Sequence, residues 1–67
     1  MKKYKTKSSL NQRKGCSTDY PIIQTIPKNK YVKWYGYSFL VGETEWKLVE
    51  YNNKLGFCSA KYLTEVK

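Results

Sequence analysis

Residues 45–63 read EWKLVEYNNKLGFCSAKYL, and this stretch decides the fold. Two runs of strand-forming residues, 46–51 and 55–58, flank Asn52-Asn53-Lys54. Asparagine tolerates the left-handed backbone that a tight hairpin turn needs, so the segment is expected to be a β-hairpin. Alternation along 46–51 puts Trp46, Leu48 and Glu50 on one face and Lys47, Val49 and Tyr51 on the other. Neither set is purely apolar. That suits a curved strand in a small barrel, where each face meets other groups for part of its length. Gly56 marks a bulge or a close backbone approach. Residues 59–63 read as a single helical turn leading to a short final strand.

Working outward, the same kind of punctuation recurs. Residues 1–9 are polar and loosely alternating, as in an edge strand or an arm, with 1–3 at the margin of order. Residues 10–15 end in a turn, and 17–19 continue it as a loop. The β-branched run 22–26 is closed by Pro27-Lys28-Asn29-Lys30, and the aromatic run 31–35 by Gly36. Residues 37–45 read as a loop. Apolar residues nowhere recur at helical spacing over eleven positions or more. Strands about every ten residues predict an all-β fold. At this length the economical form is a small barrel of five to seven short strands, because closure removes exposed edges. Residues 1–67 read as one domain, with Leu10, Ile22, Ile26, Val32, Leu48, Val49 and Leu63 as the expected core.

Size and charge narrow the function. Thirteen basic residues against five acidic give the 67-residue chain a net charge of +8. Such a field draws polyanions: nucleic acid, anionic lipid or phosphate-rich wall polymers. Histidine is absent and there are two cysteines, Cys16 and Cys58, so a four-ligand Cys/His zinc site is excluded. The cysteines read either as one disulfide or as two free thiols serving as small apolar residues. With no histidine to act as general base or to generate a thiolate, catalysis has no support. No catalytic residue, metal or cofactor is assigned. The basic start lacks the apolar stretch of a signal peptide, and no run is long enough to span a membrane.

Two longer stretches carry a resemblance. LNQRKGCSTDYPIIQTIPKNKYV, at 10–32, resembles the opening half of bacterial Src-homology-3 domains. WKLVEYNNKLGFCSAKYL, at 46–63, resembles their closing half. The likeness spans about residues 4–66. Gln12 stands where the family usually has Val, Cys16 where it often has Pro, and Phe57-Cys58 in place of Trp-Val. The 37–45 segment is longer than usual. The resemblance implies the Src-homology-3-like barrel and a non-catalytic wall-targeting module, as in peptidoglycan hydrolases such as phage endolysins and autolysins. Its partners would be peptidoglycan or teichoic acid and a full-length lysin with a catalytic domain; self-association is instead a reading of the apolar triplet at Phe39, Leu40 and Val41. Synthesis would be in the host cytoplasm and action at the bacterial wall.

Candidate contacts follow from the aromatic content. Seven Tyr, two Trp and two Phe exceed what one small core can hold. Tyr20, Trp34, Tyr35, Tyr37, Tyr51 and Tyr62 are therefore expected on a part-exposed binding surface, since flat amphipathic rings suit sugar faces and peptide grooves. Trp46 reads as mostly structural. Arg13 reads either as a ligand contact or as a donor to loop carbonyls. Phe39, Leu40 and Val41 form an apolar triplet that reads either as a plug for one barrel end or as an interface. Two other functions fit the same composition: a nucleic-acid-binding barrel using stacking and charge, and a peptide-binding adaptor.

Overall fold

The computed structural model describes all 67 residues. Seven strands form one antiparallel sheet: β1 (Lys2–Thr6), β2 (Leu10–Arg13), β3 (Ile22–Ile26), β4 (Tyr31–Val41), β5 (Thr44–Tyr51), β6 (Lys54–Ser59) and β7 (Leu63–Val66). A single 3-10 turn, Ala60–Tyr62, precedes β7. The order across the sheet is β3-β2-β6-β5-β4-β1-β7.

Each strand supplies one side chain to a common core: Tyr4, Leu10, Ile26, Val32, Val49, Cys58 and Leu63, in strand order. A flat sheet of seven strands cannot bring one residue from each into one cluster. The sheet must curl on itself, and this is the expected barrel.

Local chemistry explains the turns. Asn52 and Asn53 both have positive φ, 54° and 64°, as a two-residue type I′ hairpin requires. Gly42 has φ 61° while Glu43 stays outside the left-handed region, the pattern of a type II′ turn. Between β3 and β4, buried Thr6 clamps the turn. Its Oγ1 donates to Pro27 O at 2.7 Å and accepts from Lys30 N at 2.9 Å.

Several expectations are corrected. Segment 37–45 is no loop: it is the end of β4, the Gly42-Glu43 turn and the start of β5. β1 is not an edge but lies between β4 and β7. Ile22 is 50% exposed and Leu48 half-buried, whereas Tyr4 and Cys58 join the core. Gly56 marks a close approach and not a bulge, since β5 and β6 pair without a register shift. A Cβ there would stand 2.6 Å from Ile23 Cδ1 and 2.9 Å from Arg13 O.

Gln12 has a role that its departure from the usual Val did not announce. It is fully buried. Its Nε2 donates to Val49 O at 3.0 Å and Lys54 O at 2.9 Å, and its Oε1 accepts from Gln24 Nε2 at 2.8 Å. Gln24 Nε2 also donates to Tyr51 O at 2.8 Å. The β2–β6 pairing is sparse, with Arg13 opposite Phe57. Two glutamine amides thus tie β2 and β3 to the β5–β6 hairpin where the backbone ladder is thin.

Candidate functional site

The candidate site grows out of β2 and the loop that follows it. Arg13 Nη1 donates to Thr18 O at 3.1 Å and Tyr20 O at 3.0 Å. A guanidinium with fixed planar donors is well suited to hold a loop by its carbonyls. Gly15 permits the loop to fold close, because the Tyr20 ring lies over it and a Cβ would stand 2.6 Å from the ring. Of the two readings of Arg13, the structure places it as the pin of this loop, with its flank still open to the adjoining cleft.

That cleft, about 240 Å³, is lined by Ser9, Leu10, Asn11, Arg13, Thr18, Trp46, Ser59 and Tyr62. Trp46 forms part of its wall although only 6% of the residue is exposed. Ser59 Oγ is buried and has no hydrogen-bond partner. A second hollow shares Ser59 and continues over Glu43, Thr44, Glu45, Ala60 and Lys61. A third shares Thr18 and Trp46 and passes Cys16, Ser17, Val41 and Thr44. Together they make one branched groove with Trp46 and Ser59 at its junction. The Trp46 and Tyr62 rings, the Arg13 flank and the Asn11 amide offer apolar contact and hydrogen bonds to an extended polar ligand.

Arg13 and Tyr62 therefore line the groove, and Tyr20 stands on the loop beside it. Lys61 Nζ lies 5.0 Å from the centre of the Tyr62 ring. The other aromatic candidates lie elsewhere. Trp34 packs edge-on against Tyr4, with ring centres 5.7 Å apart, and its Nε1 donates to Tyr37 O at 2.9 Å. Lys47 Nζ sits 4.2 Å from the Trp34 ring centre and 5.2 Å from that of Tyr4, and it donates to Ser38 Oγ and pairs with Glu45. Tyr35 donates its hydroxyl to Glu50, which pushes the phenol pKa up. Half-buried Tyr51 packs on the core and lines a separate hollow with Tyr31, Lys33 and Glu50.

Phe39, Leu40 and Val41 do not plug the barrel. They stand exposed on the β4–β5 hairpin, with Phe39 edge-on to Phe57 at 5.8 Å between ring centres and Val41 on the wall of the third hollow. Sequence reasoning passed over Asn11 and Ser59 and gave Trp46 a mostly structural role. The Trp46–Tyr51 alternation did separate Trp46 from Val49, and those two are the buried residues of β5, one at the groove and one in the core.

The cysteines are free. Burial pushes the Cys58 thiol up to about 12, so it remains a neutral core group, and burial also raises Cys16.

A second surface is cationic. On the β1–β4 ladder Lys3 lies opposite Lys33, and Lys5 opposite Tyr31, with Lys5 Nζ 5.8 Å from the Tyr31 ring centre. Like charges directly opposite each other weaken a sheet, so this pairing makes no contribution to the fold.

The groove lies wholly within residues 8–64, the span matched by a family model described as the bacterial SH3 domain. No curated protein matches the chain.

Proposed function

The chain belongs to the bacterial SH3 domain family, a family of binding modules and not of catalysts, and on that premise we propose that it targets a peptidoglycan hydrolase of the endolysin or autolysin kind to the bacterial wall. The peptide part of the wall would lie in the groove at Trp46, Asn11, Ser59 and Tyr62. The observation that carries this reading is the cleft itself, where the Trp46 and Tyr62 rings stand with the Asn11 amide and the Arg13 flank around one hollow of about 240 Å³. Rings and amide groups around a hollow suit an extended peptide, which offers apolar contact and hydrogen-bonding groups together. The Lys3, Lys33, Lys5 and Tyr31 ladder adds attraction to a phosphate-rich wall polymer.

The test is co-sedimentation with purified Gram-positive walls, intact or stripped of teichoic acid. Binding to stripped walls should persist and weaken about tenfold in Tyr62→Ala, a loss of about 1.4 kcal/mol. Lys3→Gln with Lys33→Gln should weaken binding to intact walls only, and this difference should vanish at high salt. Failure to pellet with any of a broad panel of walls at low salt would overturn the proposal. Sub-micromolar binding of oligonucleotides at physiological salt would reassign the cationic ladder to nucleic acid.

A further inference from the structure

We propose that the free edge of the β4–β5 hairpin is a self-association surface, where β4 of one copy pairs antiparallel with β4 of a second. β4 is eleven residues long. On one side β5 accompanies it to the tip, with Val41 opposite Thr44. On the other side β1 stops at Lys2, opposite Trp34. From Tyr35 to Val41 that second edge has no strand beside it. Five of the chain's twelve exposed large apolar side chains lie in this run: Tyr35, Tyr37, Phe39, Leu40 and Val41, with Leu40 at 74% exposure.

The turn fixes which backbone groups face outward. In a hairpin with a two-residue loop, the residues flanking the loop form a hydrogen-bonded pair, and bonded and non-bonded pairs then alternate. Val41 and Phe39 therefore bond to β5, and Ser38 and Leu40 direct their N–H and C=O groups to the open edge. An exposed, apolar, unpaired edge is a template for another strand.

A second copy fits this edge by symmetry and by charge. Pairing about Phe39 sets Ser38 against Leu40 of the other copy, twice, and uses all four outward N–H and C=O pairs. It stacks Phe39 on its equivalent, and the regular pairing ends at Ser38, where β4 is irregular and Gly36 has φ 93°. The tip carries Glu43 and Glu45, two of only five acidic residues. In this register they advance toward the Lys33 end of the other copy's β4. Neither Glu43 nor Lys33 takes part in an ion pair within the monomer. The charge pattern thus favours the antiparallel two-fold arrangement and opposes the parallel one, which would bring the acidic tips together. The pair would present two wall-binding grooves, and the second raises wall affinity through avidity with no new contact to the wall.

Light scattering at rising concentration tests the idea. The wild-type mass should rise from 7.9 kDa toward twice that value. Leu40→Pro removes one outward N–H and leaves the bonds to β5 in place, as proline does on an open edge. It should raise the dissociation constant at least tenfold with an unchanged circular dichroism spectrum, and so should Phe39→Glu. In a Cys16→Ser background, Phe39→Cys should form a disulfide-linked dimer on oxidation, because residues facing each other in a non-bonded antiparallel pair lie within disulfide range. Tyr37→Cys in the same background should not. A wild-type chain that stays monomeric to about 1 mM would overturn the proposal. A dimer indifferent to both edge substitutions, or equal cross-linking of the two cysteine variants, would also overturn it.

Discussion

Two hairpins share β5, and they live in different worlds. The β5–β6 hairpin turns through Asn52-Asn53 and is held from above by Gln12 and Gln24, with Gly56 pressed under Ile23 and the Arg13 carbonyl. The β4–β5 hairpin turns through Gly42, where a Cβ would meet nothing within 4 Å, and the β4 residues from Tyr35 to Val41 are all exposed, with Phe39 edge-on to Phe57. Both have two-residue turns suited to their backbone twist. What differs is tertiary cover. Local chemistry can make a hairpin, and only neighbours decide whether it stabilises the barrel or remains free to meet another molecule.

This contrast is sharpest at Gln12. Gln12→Ala should cost about 3 kcal/mol, because it removes three hydrogen bonds of a fully buried side chain, leaves Gln24 only its bond to Tyr51 O, and opens a void. Chemical denaturation measures this directly. A loss below about 1 kcal/mol would mean that the glutamine pair does not tie the two halves together. Gly56→Ala follows, at about 2 kcal/mol, since one of the atoms it meets is backbone and cannot swing aside.

Cys58 gives the covered side a pH signature. Its folded pKa is raised to about 12 from 9.0. The fold keeps its full stability below pH 9, where the thiol is neutral in both states. As pH rises from 9 toward 12 the unfolded chain loses this proton first, so stability falls, by about 1.4 kcal/mol per pH unit at most. Denaturation at pH 8 and pH 10 in wild type and Cys58→Ala isolates the effect: the variant should lose this contribution to the slope. The smallest effect belongs to the arm. Leu40→Lys should change monomer stability by less than about 0.5 kcal/mol, as for an exposed substitution away from packed groups. A larger loss in the monomer would show that the arm is part of the barrel's support, and the two hairpins would no longer contrast.

The candidate site was legible in part. Arg13, Tyr20 and Tyr62 belong to segments that meet at the groove, and the aromatic excess announced that rings would be left outside the core. Trp34 misled because a tryptophan in a strand says nothing of what lies over it. Here Tyr4 and Lys47, from β1 and β5, cover it. Ser59 carried no signal, since a hydroxyl becomes distinctive only when burial strips away its water.

The chain's own order of residues determined the all-β class, the turns at Pro27–Lys30 and Asn52-Asn53, the short helical turn and the strong positive charge. These rest on φ preferences, period-two alternation and composition, which act within a few residues or need no geometry at all. Tertiary structure alone decided that β1 lies inside the sheet, that the expected loop is a hairpin with one bare edge, that Gln12 is a buried tie, and that the aromatics divide between two sides. Each of these depends on which distant strand arrives alongside, and alternation names two faces without saying what either one will meet.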